Sequence, residues 1–106
     1  MVEIREHVDS RGRVPFRRWL GGLDPAATYR VEAALARIAG GNLANLKSVG
    51  GGVLELRLHS GPGYRIYLGR DGDAVVILLA GGTKARQQQD IEKARVLWRD
   101  YRRRKR

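Results

Sequence analysis

From Val53 to Ala80 three short runs follow one another, separated by glycine-bearing turns, and the first two alternate every second residue. A period of two belongs to extended backbone, whose successive side chains point to opposite faces, so this stretch must form neighbouring strands. In Val53 to His59, Leu54, Leu56 and Leu58 share one face, while Val53, Glu55, Arg57 and His59 share the other. That second face is polar, and the expectation is that it meets water or a ligand. Ser60 to Gly63 makes a turn, and Tyr64 to Leu68 alternates again, with Arg65 and Tyr67 opposite Tyr64, Ile66 and Leu68. Arg70-Asp71-Gly72-Asp73 reads as a hairpin turn by its Asp-Gly. Ala74 to Ala80 is apolar throughout, as suits a central strand covered on both sides.

The flanking segments follow different periods. Val2, Ile4 and Val8 against Glu3, Arg5 and His7 predict a half-buried first strand. Pro15 fits a first helical turn, with Phe16, Trp19 and Leu20 as an apolar stripe before Gly21-Gly22. Asp24-Pro25 supplies a cap and a first-turn proline for a second helix, whose buried side is Val31, Leu35 and Ile38 and whose end is Gly40-Gly41. A last helix is predicted from about Gln87, docking through Ile91, Ala94, Trp98 and Tyr101, with Arg95, Arg99, Arg102 and Arg106 on another face. The expected fold is α+β in the order β-α-α-β-β-β-β-α: one domain over residues 1–106, with an antiparallel sheet, two N-terminal helices on one face and a C-terminal helix.

Bulk properties narrow the function. A chain of 106 residues buries roughly two-thirds of its unfolded surface, enough for a core without staples. It has no cysteine, which removes disulfides, thiolate metal sites and cysteine nucleophiles. No segment approaches the roughly 20 apolar residues of a membrane span and no signal-peptide apolar region is seen, so a cytoplasmic location is expected. The net charge of +10 is uneven: residues 1 to 92 hold 13 basic and 10 acidic side chains, whereas the last 14 residues hold 8 basic and 1 acidic. Such a block binds nucleic acid, with a gain from counterion release, an acidic partner or an anionic membrane, or else is a solvated, partly disordered tail.

The segments Leu54-Glu55-Leu56-Arg57, Gly61-Pro62-Gly63-Tyr64-Arg65-Ile66-Tyr67, Leu78-Leu79-Ala80-Gly81-Gly82-Thr83-Lys84, Gln89-Asp90-Ile91 and Ala94, in this order, resemble the RelE/ParE toxin superfamily. More narrowly, the chain is similar to the HigB-like branch, often labelled addiction module killer proteins. The resemblance implies a toxin of a type II toxin-antitoxin pair, neutralised by an antitoxin encoded beside it, of helix-turn-helix type. RelE and HigB members cleave messenger RNA in the ribosomal A site; ParE members poison DNA gyrase. The implied partners are thus antitoxin, ribosome and mRNA, with operator DNA in the antitoxin complex and no membrane.

Metal-independent RNA cleavage, which uses no cofactor, needs four things. The ribose 2′-oxygen must lie in line with phosphorus, a group must take its proton, cations must face the developing charge, and an acid must serve the leaving 5′-oxygen. Arg65 matches the arginine that contacts the scissile phosphate in RelE-like toxins, and its planar fork suits two phosphate oxygens; otherwise it is a surface strand arginine paired with an Asp or Glu. Arg57 joins it if strand register permits. Lys84, or Arg86 two residues on, matches the basic pair after the last strand, with an ordinary loop lysine as the other reading of Lys84, and Lys47 is placed at the rim on the RNA backbone. His59 is a candidate base, since histidine exchanges protons near neutrality and HigB-type sites use it. Tyr67 is expected to stack on a base or orient a ribose, or simply to pack on the sheet. Arg95, Arg99 and Arg102 are candidates for RNA contacts along the last helix.

Two departures from the family pattern leave the proton acceptor open. Val53 and Glu55 stand where RelE carries a lysine pair, and the tyrosine of its last helix is replaced around Asp90 and Ile91. Glu55 is an alternative base, or else is neutralised by Arg57 in a structural pair. Two other functions remain beside the nuclease: a ParE-like gyrase inhibitor, and a non-enzymatic basic module whose last helix grips DNA or rRNA. The nuclease expectation requires Arg65 and Lys84 to share one cleft.

Overall fold

The computed structural model describes residues 1–105; Arg106, assigned above to the arginine stripe, lies outside the described residues. In chain order the elements are strand β1 (Glu3–Glu6), helices α1 (Pro15–Gly21) and α2 (Pro25–Ala39), and strands β2 (Lys47–Ser48), β3 (Leu54–Leu58), β4 (Tyr64–Asp71) and β5 (Val75–Thr83). A 3₁₀ turn (Lys84–Arg86) then leads into helix α3 (Gln87–Arg104). None of these helices is long and apolar enough to cross a membrane.

The strands form one sheet in the order β1-β5-β4-β3-β2. The expected all-antiparallel sheet is corrected here: β1 runs parallel to β5, pairing Glu3 with Val75 through Glu6 with Leu78, while the other neighbours are antiparallel. A parallel pair needs a long crossover. The stretch holding α1, α2 and the meander supplies it, and a period of two says nothing about strand direction.

Helices α1 and α2 cover one face. Asp24 caps α2 by accepting the Ala27 N–H at 2.8 Å, with Pro25 in the first turn, where its missing N–H costs nothing. Phe16, Val31, Ala34 and Ile38 pack there on Leu56, Ile66, Leu68, Val76 and Leu78, with Trp19, Leu20 and Leu35 half-buried around them. Helix α3 covers the other face, where Ile91, Ala94 and Trp98 meet Val53, Tyr67, Ile77 and Leu79. The polar face expected of Val53 to His59 is therefore mostly sealed. Val53 and Glu55 lie under α3, and only Arg57 and His59 are exposed.

A bulge adjusts the far end of β5. Tyr67 pairs with Ala80 but Leu68 pairs with Leu78, so Leu79 is an extra residue and the alternation flips beyond it. Gly81 then faces Trp19 of α1, and Gly82, opposite Arg65, faces Asp90 of α3. Gly69 of β4 serves the same purpose under Trp98: a Cβ there would sit 2.5 Å from the indole ring. Gly69→Ala should therefore overpack this layer and lose about 1–3 kcal/mol of stability, read as a lowered urea midpoint at unchanged m-value.

Candidate active site

The turn from β3 to β4 gathers the chemistry. Ser60 N–H donates to the Leu58 carbonyl at 2.9 Å and Gly63 N–H to the Ser60 carbonyl at 3.1 Å, closing the turn. Gly63 adopts φ of 74°, which favours glycine, and a Cβ on it would lie 3.1 Å from Lys84 Cβ and 3.4 Å from Arg65 Nη1. The bare backbone thus lets the Arg65 guanidinium and the base of the Lys84 side chain pack against the same glycine. Register brings them there: Arg57 pairs with Arg65 across β3 and β4, and Tyr64 pairs with Thr83, the residue before Lys84. The result is an open hollow of about 610 Å³ whose lining includes Arg57, His59, Tyr64, Arg65 and Lys84. The shared cleft required of Arg65 and Lys84 is present.

Arg65 is only 6 % exposed. Its Nη1 donates to the Gly63 carbonyl at 3.1 Å, and its Nε lies 3.6 Å from Glu55 Oε2 without a hydrogen bond. The unpartnered Nε is thus turned to the buried Glu55 carboxylate, and Arg65 lines the wall of the hollow while paired with that charge.

Beneath the hollow lies Glu55, 1 % exposed. It accepts hydrogen bonds from Arg57 Nε at 2.9 Å, Tyr67 Oη–H at 3.0 Å and Gln87 Nε2 at 2.9 Å. Burial pushes its carboxyl up, but these bonds outweigh burial and hold it below the usual glutamate range. Glu55 as the proton acceptor is corrected on this geometry: its oxygens are committed and sealed from the hollow. Its pairing with Arg57, the structural alternative, is what the molecule shows. Gln87 completes the network from the first turn of α3, a tie across 32 residues that no local pattern announces.

Tyr67 as a base-stacking residue is also corrected. It is fully buried under α3 with its hydroxyl on Glu55, and burial, then the Glu55 charge, raises its pKa. It orients Glu55 and cannot reach RNA. His59 is exposed on the hollow's rim and also borders a smaller cavity of about 210 Å³ beside Arg37 and Asn42.

The remaining predicted contacts do not converge. Lys47 is exposed opposite Glu55 on the short β2 and lines neither this hollow nor the two larger ones. Arg86 borders a second hollow on the far side of the 3₁₀ turn. Arg95, Arg99 and Arg102 line a third groove of about 970 Å³ with Arg70 and Trp98, and Arg95 there donates to the Val49 carbonyl. Expectations drawn from helical spacing gave a shared face, which is correct for these three. Spacing gave no distance to the cleft, and they lie elsewhere. Among the described residues no group of His, Asp or Glu side chains is placed to hold a metal ion.

No protein-family model matches the chain. An uncharacterized protein of Haemophilus influenzae is 41 % identical to it over 83 residues, a stretch that spans 77 % of this chain and 84 % of that protein. Identity at that level over so much of both proteins means a common fold and descent, and the chain belongs to the same family as this Haemophilus influenzae protein.

Proposed function

We propose that this protein is the toxin of a type II toxin-antitoxin pair and a metal-independent endoribonuclease acting on messenger RNA at the ribosome. One observation carries the reading: the guanidinium of Arg65, almost wholly buried, lines the hollow that also receives Arg57, His59 and Lys84. The element order, with α1 and α2 on one face and α3 on the other, is read as RelE-like. That reading adds the expected fold to the chemistry.

In this reading the scissile phosphate lies against Arg65 and Arg57, whose charge rises in value as the phosphorane forms in a partly desolvated site. The ribose 2′-oxygen attacks phosphorus while His59 takes its proton; the P–O5′ bond breaks, and the 5′-oxygen receives a proton on the Lys84 side. The products are a 2′,3′-cyclic phosphate and a 5′-hydroxyl, with no redox change and no metal. Glu55 and Tyr67 act by holding the arginines. The adjacent gene would encode the antitoxin, an acidic or amphipathic segment of which would cover the cationic surface, and operator DNA would be bound only by the complex.

Induced expression in a bacterial host should stop growth within a generation, with transcripts cut at codon-linked positions on ribosomes. Growth arrest with intact transcripts would overturn the nuclease reading. Arrest accompanied by trapped gyrase would replace it with the gyrase inhibitor.

A further inference from the structure

The second hollow, of about 710 Å³, has a composition unlike the first. Strand β1 stops pairing with β5 at Glu6 opposite Leu78, so Leu79 to Thr83 have β4 on one side and, among the described residues, no strand on the other. The hollow opens at this free edge, between α1 and α3. Trp19 forms one wall, laid directly on Gly81, and its ring meets Tyr64 of the first hollow edge-on at 6.2 Å. From the α3 side of the same edge the Asp90 carboxylate lies on Gly82, where a Cβ would come within 1.9 Å of Oδ2. Arg18, Arg86 and Lys93 stand around the opening. None of these three cations, nor Asp90, is in an ion pair among the described residues.

An aromatic wall, an acceptor-only carboxylate and unpaired cations are the three contacts an unstacked nucleotide uses: ring face, base edge and phosphate. We infer that this hollow binds the nucleotide next to the scissile linkage and selects guanine, whose N1–H and N2–H are read by Asp90. Guanine is the base that offers two adjacent donors on its Watson–Crick edge, and a carboxylate can only accept. Adenine and cytosine place a bare ring nitrogen beside their amino group, against the carboxylate charge. Thr83 and Lys84 join the two hollows within two residues, so one strand can occupy both. Burial pushes Asp90 above the ordinary carboxylate range, against the pull of Arg86, Lys93 and a backbone hydrogen bond from Thr83.

The inference rests on the nuclease reading but is tested apart from it. Fluorescence anisotropy would follow purified protein binding 2′-O-methyl hexanucleotides, which cannot be cleaved, with guanosine at one position of a uridine background and adenosine, cytidine or uridine as replacements. The guanosine oligomer should bind about tenfold tighter than the others, on the scale of one good side-chain–base pair. Asp90→Asn, of equal volume, should cut that preference to within about twofold, and Arg30→Ala, an exposed change on α2 away from both hollows, should leave it in place. Equal binding of all four oligomers, or an unchanged preference in Asp90→Asn, would overturn the inference. So would failure of every oligomer to bind while an acidic peptide from the neighbouring gene product seats on the β5 edge. An Asp90-dependent guanosine preference in a protein that leaves transcripts intact would keep the site and remove the nuclease.

Discussion

Arg65→Ala is expected to abolish toxicity, with RNA cleavage reduced by at least about 10²–10³-fold, the scale on which a single positioned donor supports a developing oxyanion. Because Arg65 also faces buried Glu55, the alanine variant is expected to lose stability as well. Arg65→Lys separates the two effects. It keeps a positive charge opposite Glu55 but loses the planar fork, so a melting temperature close to wild type with cleavage still down at least about tenfold is expected. Cleavage of a ribosome-bound transcript, quantified beside thermal unfolding, decides between them. A fully active, well-folded Arg65→Lys would remove the fork from the mechanism.

Glu55→Ala should have a large effect on stability. It strands the Tyr67 hydroxyl, the Gln87 amide and the Arg65 charge below α3, and removal of one member of a buried charged network costs about 3–5 kcal/mol. Arg57, partly exposed, recovers some of its loss by turning to water, which places the expectation at the lower end of that range. Urea unfolding at neutral pH measures it directly. The pH dependence follows from the depressed pKa of Glu55. The unfolded chain binds this proton at a higher pH than the native state does, so the stabilisation is complete above the unfolded glutamate range. It fades as pH falls through that range towards the native titration. Glu55→Gln should show a shallower acid loss of stability than wild type between those limits. An identical acid limb in the two proteins would mean that Glu55 is not held ionised by its neighbours.

The candidate site was legible in part, for identifiable reasons. Arg57, His59 and Arg65 could be placed because alternation within a strand is local, and the turn Ser60 to Gly63 joins their strands directly. Lys84 could be placed because a hairpin returns β5 beside β4. Of the two expectations for Tyr67, packing on the sheet is what the structure shows and contact with RNA is not, because α3, which begins 20 residues later, folds back over it. Glu55 suffered the same concealment, and its partner Gln87 looked like an ordinary helix start. The hollow between Trp19 and Asp90 was invisible because it exists only where β1 ends short of β5 and two helices from opposite ends of the chain face each other.

By itself the sequence determined the elements, their caps and turns, the stripes that each helix buries and the concentration of positive charge at one end, since all of these depend on neighbours within a few residues. Tertiary structure alone decided that β1 lies parallel to β5, that α3 seals Glu55 and Tyr67 while leaving Arg57 and His59 exposed, and that the basic residues divide among three hollows. Those outcomes depend on which surfaces meet after the chain has closed on itself. They are set by summed burial across contacts far apart in sequence, for which local periodicity carries no information.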